Sequence, residues 1–163
     1  MPPLRVVTHS PQDTEALGRR IGRLLHPGDV VALSGDLGTG KTVLAQGIVA
    51  GTGASGYVAS PTFTFIREYD GAAPIAHVDL YRIEAARQLD DLGLDDVLAG
   101  RMIVIIEWAE KAGAWLPPEH LWIALGFGTQ ENDREVELRP RGPRYEDVAA
   151  AVVDARRPNP KAR

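Results

Sequence analysis

The chain has 163 residues, 44% of them apolar and 25% charged, a balance that supports a packed core and excludes wholesale disorder. It has no cysteine, which excludes disulfides, thiolate zinc sites and a cysteine nucleophile and fits a reducing cytosol. Net charge is −4, yet four of the 18 basic residues (Arg156, Arg157, Lys161 and Arg163) fall in the last eight positions, so the acidic remainder is a poor binder of polyanions and no direct nucleic-acid binding is expected.

Leu4–Thr8 reads as a short strand. Ser10 then suits an N-cap and Pro11 a first helical position, and Leu17, Ile21, Leu24 and Leu25 recur at helical spacing. Pro27-Gly28 punctuates the chain, and Val30–Leu33 is an apolar run expected of a strand buried on both faces. A glycine-rich segment, 35–40, precedes a helix predicted over Lys41–Ala50. Thr62–Tyr69 alternates as a strand, Asp70-Gly71 turns, and Ile75–Leu80 is the next strand. Glu84–Leu92 and Leu94–Leu98 read as helical. Met102–Ile106, the most apolar stretch, ends at Glu107. Leu121–Phe127 and Glu135–Leu138 read as a hairpin and Tyr145–Ala155 as a closing helix.

The predicted fold is α/β: one domain over residues 1–155, with a mostly parallel central sheet flanked by helices and a C-terminal antiparallel hairpin. Residues 156–163 are predicted to be a solvated, disordered tail, because Pro158 and Pro160 break any helix there. The N-terminal MPPLRVVTHS lacks the pattern of a signal peptide, and no apolar run approaches about 18 residues, so a cytoplasmic protein without membrane contact is expected.

Gly35-Asp36-Leu37-Gly38-Thr39-Gly40-Lys41-Thr42 fits G-x-x-x-x-G-K-[ST] at every position. Glycines reach positive φ, so successive N–H groups turn inward around an anion. Lys41 supplies a charge for β- and γ-phosphates, Thr42 a hydroxyl for Mg²⁺, and the helix start its positive dipole end. Chance produces such a match in on the order of one chain in a few hundred, and the preceding strand and following helix narrow this further. The segment is a P-loop.

Hydrolysis needs an acid near the metal and a group that orients water, usually at the ends of neighbouring strands. Asp79 and Glu107 each end a buried strand run, where an acid is costly unless it faces a crevice or a cation. A guanine-reading Asn-Lys-x-Asp is absent, and Asp90–Gly93, although it fits D-x-x-G, reads as a helix end; GTPase activity is disfavoured. Trp108, Trp115 and Trp122 are spaced by seven, but Pro117 and Pro118 interrupt any heptad. His77 reads as a core histidine, and Trp108 suits core packing at least as well as ligand contact. Arg67, Arg82, Arg87 and Arg101 read mainly as solvent-facing ion pairs.

GDLGTGKT (35–42), SPTFTFIREY (60–69), HVDLYR (77–82) and IEWAEK (106–111), with DLGLDD (91–96) and RGPRYE (141–146), resemble the bacterial TsaE (YjeE) ATPases of tRNA threonylcarbamoyladenosine synthesis. The resemblance implies that ATP is held by Asp36, Leu37, Gly38, Thr39, Gly40, Lys41 and Thr42, with Thr14, in the Ser10–Thr14 region, near the adenine. It implies Mg²⁺ on Thr42 and Glu107, Thr62 as a switch residue sensing the γ-phosphate, and Asp79 as a Walker-B-like acid acting with Lys41 and Thr62 in catalysis. The implied activity is an ATPase that resets a TsaD–TsaB assembly between turnovers, TsaC supplying the activated donor and tRNA being met only indirectly. Two other readings remain open on the residues alone. A small-molecule kinase lacks an evident arginine-rich lid, and its acceptor would face the acidic Asp90–Asp96. In a non-catalytic nucleotide-gated module, Asp79 and Glu107 would serve structure only.

Overall fold

Serine and proline open the first helix. Ser10 is extended, its Oγ accepts the Asp13 amide at 3.0 Å, and Pro11 takes a position where no N–H is missed. The computed structural model describes residues 1–54 and 65–157. In chain order these form β1 (Leu4–Thr8), α1 (Pro11–Arg23), β2 (Val30–Ser34), α2 (Lys41–Gly51), β3 (Ile66–Tyr69), β4 (Ile75–Asp79), α3 (Ala86–Asp91), α4 (Leu94–Val97), β5 (Ile103–Glu107), β6 (His120–Phe127), β7 (Arg134–Arg141) and α5 (Pro143–Asp154). Short 3₁₀ turns at Ala109–Lys111 and Gly113–Trp115 follow β5.

One seven-stranded sheet has the order β1-β7-β6-β2-β5-β4-β3. β6, β2, β5 and β4 are parallel neighbours, whereas β7 is antiparallel to β6, β1 to β7, and β3 to β4. β1 therefore runs with the central four strands, and the β6–β7 hairpin continues the sheet. The apolar runs of β2 and β5 feed both faces. Val31, Leu33, Ile103 and Ile105 pack under α1, α2 and α5. Val30, Ala32, Val104 and Ile106 pack on the opposite face with Leu89, Leu94 and Ala109.

α1 and α2 touch backbone to backbone. A Cβ on Gly22 would stand 2.1 Å from the Ile48 carbonyl oxygen, and one on Gly47 would stand 2.2 Å from that of Glu15. Only glycine allows this approach, which locks the helix behind the P-loop to the helix behind β1. Asp90–Gly93 closes α3 as the sequence predicts, with Gly93 left-handed at φ 70°. Arg156, expected in the solvated tail, is instead held against β1: its guanidinium donates to the Val7 carbonyl at 3.1 Å and to Asp13 at 3.3 Å. β1 is an edge strand, and its outward carbonyl supplies the partner. Among the described residues no helix is long and apolar enough to cross a membrane.

Candidate functional site

β2 delivers the chain at Ser34 into a loop whose Gly35, Gly38 and Gly40 have φ of 143°, 83° and 100° before α2 begins at Lys41. The conformations expected of an anion cradle are present, with the amino end of α2 behind them. β4 and β5 end beside it, and their register sets Asp79 opposite Glu107 and Leu33 opposite Glu107. Register partners in parallel strands share a face, so both carboxylates project toward α2. Both are buried, at 6% and 2% exposure.

Glu107 is the hub. Thr42 Oγ1 donates to Glu107 Oε1 at 2.9 Å, and His77 Nε2 lies 2.6 Å from Glu107 Oε2. The two residues on which the resemblance places Mg²⁺ are thus in direct contact. Asp79 receives the Tyr81 amide on Oδ1 at 2.9 Å, while its own amide donates to Phe65 O at 2.8 Å.

Lys41 Nζ is turned back onto its own loop, donating to Gly35 O at 2.5 Å and Asp36 O at 2.7 Å. The indole of Trp108 covers it at 4.3 Å. Burial pushes its pKa below the ordinary lysine value, and Glu107, Glu110, Asp36 and Asp79 offset this only in part. Trp108 is the sole non-glycine residue with positive φ among the described residues, at 57°. Such a conformation costs about 1–3 kcal/mol and persists only where its surroundings fix it. Here the Tyr81 ring packs at 5.1 Å, and Lys111 Nζ ties the turn to Tyr81 O at 2.5 Å and Ile83 O at 3.1 Å.

A cleft of about 400 Å³ opens over the loop, walled by Lys41, Thr42, Asp79, Tyr81, Glu107 and Trp108. A hollow of about 120 Å³ adjoins it across Gly38 and Gly40. Ser10, Pro11 and Thr14 form one side of that hollow and Asn132 and Arg134 the other. Thr14 lines this hollow with its hydroxyl engaged by Thr8 at 2.7 Å, leaving the methyl toward Gly40. Asn132 and Arg134 carry no motif, and only the fold brings their turn to the loop. Trp108 packs on Lys41 as well as on the core, which its place after Glu107 hinted at. Thr62 lies outside the described residues, as does the first half of the Ser60–Tyr69 segment; the described end forms β3 against β4.

A phosphate-loop glycine turn between a central strand and its helix, with acids at the ends of the adjacent parallel strands, defines the P-loop NTPase fold. Residues 8–136 match the family described as Threonylcarbamoyl adenosine biosynthesis protein TsaE. The chain belongs to this family. It is 40% identical over 147 residues to the tRNA threonylcarbamoyladenosine biosynthesis protein TsaE of Bacillus subtilis, covering 90% of this chain and 91% of that one. It is 37% identical over 135 residues to the protein of that name from Treponema pallidum, covering 83% and 99%. The crystal structure of Bacillus subtilis YdiB superposes with a TM-score of 0.81 at 32% identity, covering 96% of this chain and 97% of that one.

Proposed function

We propose that this protein binds Mg·ATP in the cleft above the 35–42 loop and hydrolyses it, in the service of tRNA threonylcarbamoyladenosine synthesis. Its place in that biosynthesis rests on family membership. The ATPase reading rests above all on one contact, the Thr42 hydroxyl 2.9 Å from Glu107 Oε1 at the foot of a complete phosphate loop.

The donors suit magnesium, a hard cation that takes oxygen ligands in small number from the protein and the rest from phosphate and water. Thr42 and Glu107 would hold it. Among the described residues no group of three or more acids or histidines forms a cage of its own, which fits that sharing. Bound there, the ion neutralises charge on the phosphate oxygens. Lys41 exchanges its two loop carbonyls for phosphate oxygens, and the loop amides point at the remaining ones. The carboxylate of Asp79, fixed by the Tyr81 amide, orients the water and takes up its proton as it attacks the γ-phosphorus and the bond to the β–γ bridging oxygen breaks. ADP and inorganic phosphate leave. Thr62 would sense the γ-phosphate. The hollow beside Pro11 and Thr14 receives adenine, the base preferred in the absence of a guanine-reading motif.

Hydrolysis would reset the TsaD–TsaB assembly between turnovers, with TsaC supplying the activated donor and tRNA met only through that assembly. The test is phosphate release from ATP and GTP with magnesium or EDTA, alone and with TsaD and TsaB added. Magnesium-dependent release favouring ATP and stimulated by the pair is expected. Release that ignores magnesium, or an equal preference for GTP, would refute the reading.

A further inference from the structure

His77 is completely buried in β4, whose other core positions are Ile75, Ala76 and Val78. A polar ring in such a strand costs free energy unless it is hydrogen-bonded. Among the described residues its Nε2 makes one bond, 2.6 Å from Glu107 Oε2, while Nδ1 is buried without a partner. A carboxylate only accepts, so this bond requires a proton on Nε2, which the ring donates to Glu107.

The register makes this contact stiff. His77 stands opposite Ile105, two residues before the Asp79–Glu107 pair and on the same face. With Thr42 on Oε1 and His77 on Oε2, both carboxylate oxygens are fixed and the plane of the group is set. We infer that His77 is a positioning residue for the metal-bound nucleotide: by holding Oε2 it fixes the rotamer in which Glu107 presents Oε1 to Thr42 and to the cation. This rests on the Mg·ATP reading above. Without the ring, Oε2 loses its donor and the carboxylate can turn away from Thr42. Outer partners that orient a metal-binding group typically matter by about 10–100-fold in metal affinity.

The test is a magnesium titration of ADP affinity by calorimetry on the full chain. In His77→Leu the magnesium concentration at half-effect should rise about 10–100-fold, with ADP affinity in EDTA unchanged. His77→Gln, whose amide N–H reaches a similar place, should recover most of the shift. Equal loss of affinity with and without magnesium would reduce His77 to a packing residue, and an unshifted midpoint would overturn the inference outright. Should His77→Leu fail to fold, ¹⁵N NMR of the unaltered protein decides: the Nε2-protonated tautomer is expected, and an Nδ1-protonated ring, with nothing to donate to Glu107, overturns it. Failure of the unaltered protein to bind nucleotide removes the ATP reading and this inference with it. Binding with an unmoved midpoint in His77→Leu removes this inference alone.

Discussion

Lys41 carries a cost in the ligand-free protein. Burial holds its pKa below 10.5, so the charged form is destabilised by folding at every pH below the folded value, and the penalty fades only as pH climbs toward 10.5. Lys41→Met should therefore raise the melting temperature of the ligand-free protein at neutral pH while abolishing Mg·ATP binding, as read by calorimetry. A less stable variant that still binds would contradict both the burial argument and the cradle. The two carboxylates should separate in the same assays. Glu107→Gln should weaken the magnesium dependence of nucleotide binding, a neutral amide oxygen being the poorer ligand. Asp79→Asn should leave binding largely intact and slow phosphate release by roughly 10²-fold, the scale of a lost general base. These three residues were legible in the sequence because each carries a local signal: a glycine-spaced lysine, or an acid after an apolar run. The role of His77 was not, since its contact with Glu107 exists only once β4 and β5 are in register.

At the scale of elements, the strand–loop–helix unit around 30–51 could be read whole, because its punctuation is local and each residue type has one strong reason to be there. Neighbourhood in the sheet could not. β2 lies between β5 and β6, more than 70 residues later in the chain, and nothing within β2 names them. The same holds for Asn132 and Arg134, which reach the hollow only because β6 lies beside β2. Gly18, Gly22, Gly47 and Gly51 are the contact surface of α1 with α2, which no local pattern in the chain marks. Gly47→Val should lower stability by about 1–3 kcal/mol or more, as expected of overpacking against a backbone carbonyl that cannot move freely. Urea unfolding should show the fall as a lower midpoint at an unchanged slope. A neutral result would mean that the helices are not in backbone contact.

Taken as a whole, the molecule holds β2 from both ends. The phosphate loop leaves its last residue, and α5 grips its first: Val30 donates its N–H to the Tyr145 hydroxyl at 2.9 Å. Arg144 bridges Asp29, at 2.8 Å, and the Leu24 carbonyl, at 2.5 Å. Asp29 is buried, so removing its partner leaves a carboxylate with too little compensation. Arg144→Ala should destabilise by about 1–3 kcal/mol without altering nucleotide affinity measured well below the unfolding transition. Loss of affinity at full folding would show that strain at the start of β2 reaches the loop.

β1 is the first strand, but among the described residues it pairs only with β7, Leu4 opposite Leu138 and Thr8 opposite Arg134. A ribosome releases the first strand long before its partner, so β1 must wait, unpaired, for most of the protein to be made. Long-range closures of this kind come late and slowly. The order of synthesis and the order of assembly are therefore opposed at this edge, and the phosphate loop, whose β2–β5 pairing is complete some 30 residues earlier, can form before the edge is sealed. Chains stopped after residue 128 should leave the β1 amides open to hydrogen exchange while β2 and β5 are already protected. The last stretch of translation would then act as the step that closes the molecule.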